Sequence, residues 1–69
     1  MNTLVELNQD FVRDQLFSKY HKYPWFCGIY CSVYKRRKAI HITVKDMEAA
    51  RNEGIPDRRD GYRVYLWRV

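Results

Sequence analysis

The chain has 69 residues, of which 13 are Lys or Arg and 8 are Asp or Glu, leaving a net charge of +5 at pH 7. That length allows one small domain over residues 1–69, burying only about 60% of the surface its unfolded form exposes. No apolar run approaches the ~20 residues of a membrane span, residues 1–10 lack the features of a signal peptide, two cysteines are too few for a disulfide scaffold, and an aromatic share of 16% argues against disorder.

A helix comes first. Thr3 with Glu6 fits a capping box, and Asn8 offers a second cap closer to the apolar residues. Val12, Leu16 and Tyr20 share one stripe at helical spacing. The helix should stop before Pro24, because the residue preceding proline resists the α region.

Residues 25–34 read as the strongest strand, rich in aromatic and β-branched side chains. One parity carries Trp25, Cys27, Ile29, Cys31 and Val33 and is predicted to face the core. The other carries Phe26, Gly28, Tyr30, Ser32 and Tyr34 and is predicted to face outward. Lys35, Arg36, Arg37 and Lys38 interrupt the pattern; four consecutive cations resist burial and suit an exposed hairpin turn. The second strand covers residues 39–44, with Ile40, Ile42 and Val44 inward and Ala39, His41 and Thr43 outward. Asp46 is a candidate N-cap for a short helix over 47–53, Gly54 stands at its left-handed stop, and Pro56 follows. Asp60-Gly61 signals a turn into a last strand over 62–69, where Val64 and Leu66 share one parity and Arg63, Tyr65 and Trp67 the other.

The fold class is therefore α+β: a two-layer α-β-β-α-β arrangement with a three-stranded antiparallel sheet. The expected order is 2-1-3, with the first strand central and both helices on one face.

Several pieces in this order resemble a small bacterial module found beside trypsin-like serine protease domains. They are Pro24 through Val33, the strand from Ala39 to Val44, Glu48-Ala49-Ala50, Pro56, and Asp60-Gly61-Tyr62-Arg63-Val64. The family's glycine-rich strand is replaced here by Trp25-Phe26-Cys27-Gly28-Ile29-Tyr30-Cys31, and its Asn-Gly turn by the four cations. The resemblance implies the α-β-β-α-β topology and supplies no catalytic motif.

The outward sheet face is the candidate working surface. It gathers Phe26, Tyr30, Tyr34, His41, Arg63, Tyr65 and Trp67, with Lys35, Arg36, Arg37 and Lys38 as a basic contact at its edge. Soluble monomers rarely expose so much aromatic surface without using it. Rings beside cations suit a protein interface, where Trp, Tyr and Arg dominate. They also suit single-stranded nucleic acid, whose bases stack while cations meet phosphates. The competing reading is a covered face, closed by a second copy or by Leu4, Val5 and Leu7.

Catalysis is not expected. Cys27 and Cys31 stand ~13 Å apart on an extended strand, beyond disulfide reach, and with only His21 and His41 available they make a poor zinc set. A thiol on the inward side of a central strand is a poor nucleophile. Asp57 and Asp60 beside Arg58 and Arg59 read as a salt-bridged turn. No glycine-rich phosphate loop is present, and no metal or cofactor is implied. The expected function is a non-enzymatic, cytoplasmic binding module that acts by occupancy on a protein partner. An inhibitor or regulator is the type, as phages and mobile elements encode, anti-CRISPR proteins among them. Single-stranded nucleic acid is the alternative ligand, and a structural homodimer the third reading. No membrane contact is expected.

Overall fold

Asn8 opens helix α1 (Gln9–Tyr20), its side chain accepting from the backbone N–H groups of Asp10 and Phe11 at 2.7 and 3.4 Å. The computed structural model describes residues 8–69; the capping box of Thr3 and Glu6, and Leu4, Val5 and Leu7, lie outside the described residues. Val12, Leu16 and Tyr20 form the buried stripe of α1, as the spacing requires. A run of turns through Pro24 then delivers Trp25 into the core and begins β1 (Phe26–Tyr34).

β1 turns back into β2 (Arg37–Val44) through a loop of only Lys35 and Arg36. Both loop residues have positive φ, +52° and +67°, as the tightest hairpin turns demand. Asp46 caps α2 (Met47–Asn52) by accepting from Ala49 N–H at 3.1 Å, and Gly54 at φ +76° ends that turn of chain. A two-residue strand, β3 (Arg58–Arg59), pairs with the start of β4 (Tyr62–Arg68) across Asp60 and Gly61, again both at positive φ.

The fold is α+β, with one mixed four-stranded sheet and two helices. The strand order is β1-β2-β4-β3, so β2 and not β1 is central among the long strands. β4 runs parallel to β2, from Ala39↔Arg63 to Val44↔Arg68. This corrects the expected antiparallel 2-1-3 sheet. The direction of the last strand is as predicted; its neighbour differs. The reason is burial on both faces. Residues 39–42 of β2 are all buried, whereas β1 leaves Cys27 and Val33 exposed, as an edge strand can. A connection of more than a dozen residues containing a helix is also the usual route to a parallel neighbour.

Ile40, Ile42 and Val44 of β2 and Val64 of β4 meet Val12, Leu16 and Tyr20 of α1 and Ala50 of α2 in one core. Both helices therefore cover the same sheet face. The parity of β1 is corrected as well. Phe26 pairs with Val44 and Gly28 with Thr43, so Cys27 is the extra residue of a β-bulge. The bulge puts Phe26 on the helix side, where it packs against the core and meets Phe17 edge-on at 5.8 Å. Phe26 thus leaves the predicted outward face, and Cys27 is exposed instead of buried.

Candidate functional site

On the helix-free side, registered residues line up in rows across the strands. Gly28, Thr43 and Trp67 make one row, Tyr30, His41 and Tyr65 the next, then Ser32, Ala39 and Arg63, and last Tyr34 with Arg37. At ~3.3 Å per residue, the first and last rows stand roughly 20 Å apart. No strand contains Asp or Glu; the described carboxylates sit on the helices and in the connections.

His41 is the centre of this face. It is 6% exposed because rings from both neighbouring strands stand over it. Tyr30 meets it edge-on at 5.2 Å, Tyr65 at 5.4 Å with the planes nearly perpendicular, and Trp67 at 5.6 Å. Trp67 Nε1–H donates to His41 Nδ1 at 3.1 Å, and the Tyr30 hydroxyl reaches the same nitrogen at 3.1 Å. His41 Nε2 is buried without a hydrogen-bond partner among the described residues. Burial pushes the imidazole pKa below its ordinary 6.5. The rings that shield His41 are themselves open to solvent: Tyr30 is 46% and Trp67 49% exposed.

Toward the last rows the character changes from aromatic to basic. Tyr34 and Tyr65 pack at 4.7 Å. The Lys35 ammonium lies 5.4 Å from the Tyr34 ring centroid, and the Arg63 guanidinium 5.6 Å from that of Tyr65. Beside them lies an open recess of about 490 Å³, lined by Lys35, Arg37, Lys38, Arg58 and Arg63 with both tyrosines, and by Ala39. Among the described residues none of these five cations is in an ion pair.

The structure thus brings Tyr30, Tyr34, His41, Arg63, Tyr65 and Trp67 onto one face, and Lys35, Arg37 and Lys38 to its end. Arg36 sits in the turn and does not line the recess. Arg58 was missed by sequence reasoning. The salt-bridged turn expected of its segment forms at Arg59, which bonds Asp60 at 3.3 Å, while Arg58 is left to the recess. The remaining signal was Asp60-Gly61: a two-residue hairpin there sets Arg58 directly opposite Arg63.

Both cysteines are free, Cys27 exposed and Cys31 half-buried. Cys31 points to the helix side, its thiol donating to Asp10 Oδ1 at 3.3 Å with Arg13 beside it. Burial first, then the bond to Asp10, pushes that thiol's pKa up. Among the described residues no three His, Cys, Asp or Glu side chains gather as a metal site, and no helix is long and apolar enough to cross a membrane.

Fold and face together define a class: a small two-layer α+β module with an aromatic sheet face running into a basic recess. No family model, curated protein or solved structure matches the chain.

Proposed function

We propose that this chain is a non-enzymatic binding module that acts by occupancy, and that the helix-free sheet face is its contact surface. One observation carries this reading. Half-exposed Tyr30 and Trp67 are pinned through His41, on a face with cations and no carboxylate in its strands. Rings held in place lose little freedom on binding, which is what anchors of an interface need. An inhibitor or regulator needs nothing beyond such a surface: it covers a protein partner's working site and blocks it. Phage and mobile-element proteins of the anti-CRISPR kind have this format. Two free thiols suit the reducing cytoplasm.

A second reading, single-stranded nucleic acid as the ligand, is favoured by a separate observation, the recess cations that form no ion pair among the described residues. A homodimer closed face to face is the third.

The test is a photo-crosslinking residue placed at Ser32, on the face but not one of its anchors, and, in a separate protein, at Ser18 on the exposed side of α1. Adducts at 32, absent at 18 and competed by the unlabelled protein but not by its Tyr30→Ala/Trp67→Ala variant, support the face. Equal adducts at both positions overturn it. Adducts of the chain with itself point to the homodimer.

A further inference from the structure

We infer that the recess is a phosphate site, and that the occupant of the face is single-stranded nucleic acid, with phosphates in the recess and bases on the rings. This inference rests on the occupancy reading of the same face and departs from it in the partner, taking the second ligand, single-stranded nucleic acid, in place of a protein.

The recess is costly to the fold. Arg58 and Arg63 are direct cross-strand partners, and like charges in that relation repel. Lys35, Arg37 and Lys38 converge on them from the other hairpin. Surface clusters of this sort are ordinarily threaded with carboxylates, but here Asp60 is taken by Arg59, and Asp57, which adjoins Arg58 in sequence, forms no ion pair among the described residues. Lys35 and Arg63 rest on tyrosine rings, which steady the two cations and leave their N–H groups without an acceptor carboxylate. Five cations with no ion pair among the described residues are a ready seat for an anion from outside. Three of them are arginines, whose forked N–H groups match phosphate oxygens two at a time.

The rings separate phosphate from carboxylate as the partner chemistry. The carboxylates of an acidic protein surface would neutralise the recess but are not themselves stacking partners for Tyr30, Tyr34 and Trp67. A nucleic-acid strand brings both in one chain: charge at regular intervals and a planar base at each. The rows from Tyr34 to Trp67 lie in line with the recess, so a strand entering it passes over the rings. The span of roughly 20 Å suits about four nucleotides, the lower end of known single-strand sites. The bases must be unpaired, because a duplex hides the base faces that stack. Ala39 at the recess leaves space for the backbone.

The experiment is fluorescence anisotropy with a labelled single-stranded dodecamer, its duplex, and unlabelled polyglutamate as competitor, at 50 and 200 mM salt. Wild-type protein should bind the single strand at micromolar or tighter concentration. Affinity should fall about 20- to 50-fold over that salt range, as neutralising three or four phosphates of a single strand requires. Arg58→Ala and Arg63→Ala should weaken binding and flatten the salt slope. Tyr30→Ala should weaken binding while leaving the slope unchanged. Circular dichroism and urea midpoints check the fold, and Arg58→Ala should raise the midpoint because it removes a repulsion. Absence of binding at 50 mM, indifference to Arg58→Ala and Arg63→Ala, or duplex binding as tight as single-strand binding overturns the inference. So does displacement by polyglutamate at equal charge, which assigns the face to an acidic protein. The crosslinking test separates the two levels: position-32 adducts to a protein with no oligonucleotide binding sink this inference alone, and their absence sinks the face itself.

Discussion

The indole of Trp67 donates to Nδ1 of His41 across 3.1 Å, and the direction of that bond fixes the state of the imidazole. An indole N–H can only donate. His41 Nδ1 must therefore carry a lone pair, and the neutral ring holds its proton on Nε2. The Tyr30 hydroxyl, 3.1 Å from the same nitrogen, can likewise only donate there and shares that single lone pair with the indole. Nitrogen-15 NMR should report an Nε2–H tautomer for His41. Trp67→Phe keeps a ring and deletes the donor; it should cost about 1 kcal/mol in urea denaturation, the net worth of one hydrogen bond. An Nδ1–H tautomer, or an unchanged midpoint, would show that the bond does not form.

The same centre should make stability depend on pH. Burial holds the His41 pKa below 6.5, so the unfolded chain takes up the proton more readily than the folded one. The contribution is complete above 6.5 and is lost as pH falls through the folded-state value. Protonated Nδ1 would also face the Trp67 N–H donor to donor. Among the described residues, the groups packed on the ring are Tyr30 from β1 and Tyr65 and Trp67 from β4, with no carboxylate to stabilise the cation. Urea midpoints at pH 7.5 and 5.0 should therefore drop more for the wild type than for His41→Gln. Equal drops would remove His41 from the account.

The β1–β2 turn offers a gain in stability that leaves the recess alone. Arg36 stands at φ +67°, where a residue with a Cβ is strained and glycine is not. Arg36 does not line the recess. Arg36→Gly should stabilise the fold by roughly 0.5–1 kcal/mol after the entropy of a more flexible unfolded chain is subtracted. Oligonucleotide affinity should stay within about twofold. A loss of stability would mean that the Arg36 side chain makes contacts outweighing the strain; a large loss of affinity would extend the anion site to the turn.

What was legible in the sequence was what local physics decides. Asn8 and Asp46 act as caps, Val12, Leu16 and Tyr20 face inward, and Ile40, Ile42 and Val44 alternate with His41 and Thr43 as drawn. Val64 is buried with Tyr65 and Trp67 on the other side, so the parity of the last strand holds. Non-local choices were not legible. A helix after β2 can return a strand beside either β1 or β2, and β2 hid its central position by carrying His41 and Thr43. β3 is two residues long and shows no pattern, so Arg58 could not be placed. One extra residue at Cys27 moved Phe26 off the open face, and nothing in residues 25–34 marks where a bulge falls.

That bulge has a chemical signature. Cys27, as the unpaired residue of an edge strand, is exposed, whereas Cys31 lies against α1, bonded to Asp10, with its pKa raised by burial. Thiolate is the reacting form, so the raised pKa slows Cys31 at neutral pH in addition to its limited access. Iodoacetamide at pH 7.5 should alkylate Cys27 several-fold faster than Cys31, read by mass spectrometry of peptides. Cys27→Ser should leave a single slow thiol. If Cys27 proves as protected as Cys31, both thiols face the helices, the strand has no bulge, and Phe26 belongs with Tyr30 on the open face. The reactivity of one thiol therefore decides which aromatic residues the binding surface contains.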